Sequence, residues 1–441
     1  MSDAQSLSGG PTMVQEGPIR TFLRATEIDT RMLGMIGALV VIWLGFHFYG
    51  YFVNGFGAFL TTRNLWNLSV QTSAITVMAT GMVLIIVTRN IDLSVGSMLG
   101  VTAMLMGALQ VWFLPNWVGL GIGHPATWII TVVFGLCVGM LIGTFHGYLI
   151  AYLEIPAFIV TLGGMLVWRG AAWWVARGET IAPLDANFAL IGGGPYGSIG
   201  ATWSWVLAVI ACIGIIGLLI SARRQRQRFG FPMRPVWAEY TIGILSAAVV
   251  IGATWIMNSY YWPKGIVREY AKANNLDPEA LVNIGHGWAI PVLIALFVVL
   301  AMTFVATRTK FGRYVFAMGG NPEAAELAGI NTKRLTMLIF TLMGFLVGVS
   351  ACISSARLKA STVALGQFDE LYVIAAAVIG GTSLAGGSGT IYGAMIGALI
   401  MQSLYSGMVL IGFDAAIQAM VVGAVLVFAV YVDTVYRKHA K

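Results

Sequence analysis

The sequence predicts an all-α polytopic membrane protein of about 12 transmembrane helices, and three observations carry that reading. Of 441 residues, 58% are hydrophobic and only 10% are charged, where a soluble domain carries roughly 25% charged residues. Apolar runs near the length that a helix needs to cross a bilayer recur along the whole chain. The charges collect in the polar stretches between those runs, where topology places them.

Taken in order, residues 1–31 are polar and mixed in charge, without the short basic-then-apolar layout of a cleaved leader. They read as a cytosolic tail, with the first span acting as the insertion signal. Predicted spans follow at 32–52, 66–87, 93–114, 127–151, 156–176, 202–221, 239–258, 287–307, 334–354, 370–385, 391–412 and 414–433, all within a transmembrane domain of 32–433. Residues 434–441 form a second cytosolic tail. The fourth span repeats Gly135, Gly139, Gly143 and Gly147 on one face, and Gly344 with Gly348 and Gly393 with Gly397 repeat the spacing. Such faces let helix backbones approach closely, so they read as packing surfaces. The tenth span is short and broken by Gly380 and Gly381, and is expected to cross.

Basic residues concentrate on one side, in loops such as Arg223–Arg234 and Arg308–Arg313, which places both termini in the cytosol. A net charge of +7 is therefore explained by topology, and nucleic acid is not an expected partner. Cys137, Cys212 and Cys352 fall inside apolar runs and read as small buried hydrophobes, with no metal site and no disulfide.

Three polar interruptions carry chemistry. In Phe311–Ile330, Asn321 can accept from an early helical N–H, Pro322 suits the first helical position, and Gly329 can take the left-handed stop. Pro322–Ala328 is thus a short capped helix of about 10 Å, too short to cross and suited to passing force to a partner. In the turn Arg89–Ser97, Asp92 or Ser94 can cap the next helix. The glycine-rich break Gly380–Gly389 leaves main-chain groups needing partners at membrane depth; it is either a cavity lining or a flexible hairpin. Leu93-x-x-Gly96-Ser97 and Leu384-x-x-Gly387-Ser388 echo one another in spacing. Gln71, Thr72, Ser73, Thr76, Asn90, Ser94, Thr161, Thr382 and Ser383 are candidate polar lining for a neutral, hydroxyl-rich solute. Within the fifth span, Arg169 is expected to snorkel outward or lie over a ring and Trp168, Trp173 and Trp174 to form an interfacial belt; in the fourth span, His146 is expected to be buried and neutral.

Asn90–Ser97, Phe158–Met165 with Arg169 and Gly170, the 311–330 stretch and Ile379–Gly387 resemble the signature segments of permease subunits of ribose/xylose-type ABC sugar importers. They occur in that family's order from about residue 60 to the C-terminus. Asn90 stands where the family usually has Gly or Glu, and Tyr372 where Asp commonly follows Glu-Leu. The resemblance implies a type II importer-like permease fold whose coupling loop is 308–333, with an extra pair of spans within 202–258 as in the xylose branch. It also implies a homodimer in the bacterial inner membrane, a cytosolic ATPase subunit and a periplasmic sugar-binding protein, received in part by Asn258–Gly287, where Asp277-Pro278-Glu279 reads as a helix start. ATPase coupling then falls to Gly312, Arg313, Asn321, Pro322, Glu323, Ala324, Ala325, Leu327 and Gly329. Ala324, Ala325 and Leu327 dock in a groove, with Glu323 and Glu326 at its rim. The translocation path or gate falls to Asn90, Asp92, Ser94, Gly96, Thr161, Gly380, Gly381, Thr382 and Ser383.

No Gly-x-x-x-x-Gly-Lys-Ser/Thr phosphate cradle occurs, so ATP is expected on another polypeptide and the chain needs no cofactor of its own. The rival reading is an ion-gradient-driven secondary sugar transporter coupled through His146, Arg169 and Asp414. A membrane-embedded enzyme finds no acid, base and nucleophile cluster.

Overall fold

Helices account for the fold of the residues that the computed structural model describes, which are 22, 24–27, 29–277, 281 and 283–440. Pro278 and Glu279 of the predicted outer helix start, and most of the tail 1–31, lie outside the described residues. The helices in chain order are α1 Thr30–Asn54, α2 Thr62–Val87, α3 Val95–Ala108, α4 Pro125–Ala151, α5 Ala157–Ala176, α6 Ala186–Ala189, α7 Gly200–Arg228 and α8 Val236–Asn258. They continue as α9 Lys264–Ala273, α10 Ile290–Arg308, α11 Lys310–Gly320, α12 Pro322–Leu327, α13 Thr332–Leu358, α14 Asp369–Ile379, α15 Ile391–Leu410 and α16 Ala415–Ala440. After Ala108 the coil widens to a π-helix over Leu109–Val118, which contains Pro115. A proline inside a helix lacks its N–H and crowds the carbonyl four residues back, so a wider turn relieves it there.

Among the described residues ten helices are long and apolar enough to cross a membrane, α3 being counted with its π-helical extension. The last helix, α16, carries a shorter apolar stretch, Ala415–Tyr431, and runs on to Ala440, through the segment read from sequence as a tail. The tenth predicted span departs most. Its helix, α14, is only 11 residues long, about 16 Å, or roughly half of the hydrocarbon thickness. The chain before Asp369 is irregular and lies along α3: Ser361 donates to the Ala103 carbonyl at 2.7 Å, and the Gly366 carbonyl abuts Gly96.

The chain divides into two compact units, residues 1–34 with 208–252, and residues 35–207 with 253–441. In the smaller unit Glu27 accepts from Arg226 and Arg234, each at 2.7 Å, and these guanidinium groups lower its carboxyl pKa to about 2. Arg223 pairs with Glu239 at 2.6 Å.

In the larger unit α2 is the central helix, with 94% of its apolar window buried; a helix apolar on every face belongs inside such a bundle. Around it pack α10, α13, α14 and α15. Glycines at helical spacing join α4 to α13: a Cβ at Gly139 would fall on the Gly344 carbonyl, one at Gly143 on the Phe340 carbonyl, and one at Gly147 against Met337. The spacing seen in the sequence is therefore a close helix-packing face. Of the cysteines, Cys352 is buried, Cys212 half-buried and Cys137 exposed, and all are free.

Candidate coupling and translocation site

Local capping builds the short helix between α11 and α13 as the sequence predicts. Asn321 Oδ1 accepts the Ala324 N–H at 3.0 Å, Pro322 holds the first turn, and Gly329 has φ +83°. The helix ends at Leu327, one residue earlier than expected, because Ala328 (φ −77°, ψ 4°) has left helical geometry. Leu327 is 92% exposed, and Glu323, Ala324 and Glu326 are exposed beside it. Ala325 corrects the sequence reading: it is 4% exposed and packs into the chain's own core, so its side chain is not available to a groove on another protein. Gly312 lies at the corner between α10 and α11, where a Cβ would strike the Val305 and Ala306 carbonyls; it shapes the bend. Arg313 beside it is exposed and donates to the Arg308 carbonyl at 3.5 Å.

Directly behind this helix three distant turns meet. Arg89, held at φ +63°, donates through Nε to the Gly319 carbonyl at 3.2 Å and through Nη2 to the Gly320 carbonyl at 2.8 Å. The Gly387 N–H, with φ +75°, donates to the Val87 carbonyl at 2.9 Å. A Cβ at Gly319 would strike that same Val87 carbonyl. The end of α2, the end of α11 and the glycine-rich break thus share main-chain partners.

From this junction the turn 88–94 leads inward. Asn90 donates to the Thr88 carbonyl at 3.2 Å, and Thr161 donates to the Ala157 carbonyl at 2.9 Å and to the Ile91 carbonyl at 3.3 Å. Asp92, 1% exposed, accepts the Ser94 N–H at 2.8 Å and the Ser94 hydroxyl at 2.5 Å, which fixes the start of α3. The Trp168 indole can only donate, and it donates to His146 Nε2 at 2.9 Å. His146 is therefore the neutral tautomer with its proton on Nδ1, which faces the Ser94 hydroxyl at 3.3 Å. A hydrogen-bonded row runs Trp168, His146, Ser94, Asp92. His146 is buried and neutral, as expected, but its tie to a carboxylate depends on residues 52 positions apart.

Arg169 neither snorkels nor lies over a ring. It donates to the carbonyls of Val363 at 3.1 Å, Leu365 at 2.9 Å and Gly366 at 3.0 Å, supplying partners to the irregular chain that precedes α14. Glu370, 7% exposed, lies against Gly96, and its Oε2 has no hydrogen-bond partner among the described residues. Gly380 packs on Gly393, Gly381 has φ +88°, and the hydroxyls of Thr382 and Ser383 are buried without partners among the described residues. Glu370 entered the sequence reading only as part of the Glu-Leu pair before Tyr372, with no role assigned, and the carbonyls of Val363, Leu365 and Gly366 were absent from it; only the lone Arg169 in an apolar span signalled that acceptors must lie nearby. Trp173 and Trp174 are 57% and 77% exposed, as a belt requires. The echo of Gly96 in Gly387 is one of spacing alone, since Gly96 is helical and Gly387 is left-handed.

The groups of the rival reading each have a local use. Asp414 accepts the Ile417 N–H at 2.8 Å and caps α16, while Arg169 and His146 are engaged as described.

A family profile described as branched-chain amino acid transport system / permease component matches residues 64–430. The chain is 35% identical over 414 residues to the xylose transport system permease protein XylH of Escherichia coli (strain K12), covering 94% of each. It is 36% identical over 382 residues to XylH of Haemophilus influenzae, covering 87% of this chain and 92% of that one. With the ribose import permease protein RbsC of Escherichia coli (strain K12) it shares 29% over 377 residues, or 85% and 87% of the two chains. No solved structure matches the chain.

Proposed function

The chain belongs to the branched-chain amino acid transport system / permease component family, and from that premise we propose that it forms the membrane pathway of an ATP-driven, binding-protein-dependent importer of a monosaccharide. It is a transport subunit without an ATPase site of its own; a separate subunit binds and hydrolyses ATP. D-xylose is the favoured sugar, on the 35% identity to XylH across 94% of the chain. In this reading the protein is a homodimer in the bacterial inner membrane, both termini are cytosolic, and a periplasmic sugar-binding protein delivers the sugar. The extra pair of spans lies within 202–258, now α7 and α8.

The observation that carries the mechanism is the junction of Arg89, Val87, Gly319, Gly320 and Gly387 behind an exposed capped helix. Leu327, Ala324, Glu323 and Glu326 form the face that docks on the ATPase, the two acids meeting basic groups of the partner. Closure of the ATPase pair pushes this face. The push reaches the turn 88–94 and the break 380–390 together, because Arg89 of the turn bonds to the end of α11 and Gly387 of the break bonds to Val87, the last residue of α2 before that turn. The path then alternates between outward- and inward-open forms, with populations set by differential binding of nucleotide and sugar. Thr382 and Ser383, whose buried hydroxyls have no partner among the described residues, are suited to a passing sugar hydroxyl.

The test is reconstitution of the chain with its ATPase and binding protein in vesicles holding ATP. D-xylose uptake that requires ATP and ignores a collapsed proton gradient supports the reading. Uptake without ATP that stops with the gradient supports the rival.

A further inference from the structure

At the end of α2 opposite the Val87 junction, a cavity of about 740 Å³ opens between the first turns of α2, the loop 183–197 and the end of α13. Its volume lies inside the roughly 300–1,000 Å³ of small-molecule sites. Trp66, Asn67, Gln71, Asn187, Tyr196 and Arg357 stand in its wall, and no Asp or Glu does.

Three amides converge there with capacity that the fold does not use. The side chains of Asn67 and Asn187 make no hydrogen bond among the described residues. Gln71 Oε1 accepts from Gln402 Nε2 at 2.9 Å, which leaves the Gln71 amide N–H groups and the Gln402 carbonyl oxygen open. Nearer the start of α2, between α2 and α15, Ser406 donates to Asn64 at 3.2 Å. An amide offers a donor and an acceptor side by side, which matches a hydroxyl that is both. Tyr196, 53% exposed at the rim, adds an aromatic face for the apolar side of a sugar ring. Arg357 and Lys359 add donors and exclude a free metal cation as the ligand.

We propose that this cavity is a receiving site for a neutral monosaccharide, bound through Asn67, Gln71 and Asn187 before it passes Gln402 toward the interior. The inference rests on the permease reading above and assigns it a defined point of entry. The site is open in this form of the chain, so sugar binding here does not require ATP to be hydrolysed first.

The assembled importer in vesicles provides the test, with Asn67→Cys or Asn187→Cys exposed to a membrane-impermeant thiol reagent from the cavity side. Lys264→Cys on α9 is the reference. D-xylose at ten times its dissociation constant slows modification of both cavity cysteines about tenfold and leaves the reference rate unchanged. Asn187 is exposed, so that variant does not depend on refolding of a packed position. Equal rates with and without D-xylose, raised well beyond the millimolar range, overturn the site. Protection by D-glucuronate alone overturns the neutral-sugar assignment. Wild-type uptake is read in the same vesicles: its complete absence overturns the permease reading, whereas normal uptake with unprotected cysteines overturns the cavity alone.

Discussion

The guanidinium of Arg169 lies 2.9 Å from the carbonyl of Leu365, and the same group holds the carbonyls of Val363 and Gly366. An intramembrane arginine thereby supplies what an unwound segment lacks, since irregular backbone at that depth finds no water. Hydrogen bonds to a charged group contribute about 1.5–3 kcal/mol each, and an orphaned buried acceptor costs about as much.

Arg169→Gln is expected to abolish uptake and lower the thermal midpoint strongly, because an amide reaches at most two of the three carbonyls. Arg169→Lys keeps the charge without the planar fork and falls between the two. Thermal unfolding in detergent, beside sugar uptake, checks the order wild type, Lys, Gln.

The seam of α4 and α13 leaves no room for side chains. Gly139→Leu puts a branched chain onto the Gly344 carbonyl and is expected to destabilise by several kcal/mol, on the scale of about 1–3 kcal/mol or more for overpacking. Gly163→Ala on α5 meets nothing within 4 Å and is expected to be neutral or to stabilise by about 1 kcal/mol or less. Expression level and thermal midpoint of the two variants separate packing from mere loss of glycine.

Asn321→Ala removes the cap on the short helix, at a cost of about 1 kcal/mol, and is expected to weaken ATPase stimulation while uptake persists at a lower rate. Leu327→Asp changes a 92% exposed side chain. It is expected to leave the fold intact and to uncouple the ATPase. A Leu327→Asp variant with full sugar-stimulated hydrolysis would remove this helix from the coupling path.

Glu27 responds to pH in a definite direction. Its carboxyl is held at about 2 by Arg226 and Arg234, below the ordinary value of 4.5. The ion pairs therefore add stability in full above 4.5, and that contribution fades as the pH falls toward 2. Wild type and Glu27→Gln are expected to differ in thermal midpoint near neutral pH and to converge on acidification; a constant gap down to the lowest accessible pH would contradict this. Added salt shrinks the gap as well, since Glu27 is 44% exposed.

What the sequence made legible was local or periodic. Asn321, Pro322 and Gly329 define a capped helix within nine residues, and glycine spacing in α4 predicts its partner face. A helix of six residues has too little period to say which alanine turns inward, so Ala325 was misread as a docking contact. Hydropathy reports composition, not coil geometry. The break at Gly380 and Gly381 was legible in the tenth span, but not that the chain before Asp369 would be irregular and that helix would form only from Asp369 to Ile379. The partners of Arg169 lie 194 to 197 residues away in sequence, and those of His146 lie 22 and 52 away, distances at which no pattern in one chain points to a contact. The cavity amides Asn67 and Asn187 share neither a helix nor a motif.

The bond from Gly387 to Val87, with Arg89 reaching to Gly320, removes slack from the molecule. Segments joined in this way resist separate displacement, because each lone shift strands a peptide group with nothing to bond. Under the proposed function, a load applied at the short helix is therefore shared among the end of α2, the end of α11 and the glycine-rich break instead of being absorbed by one of them.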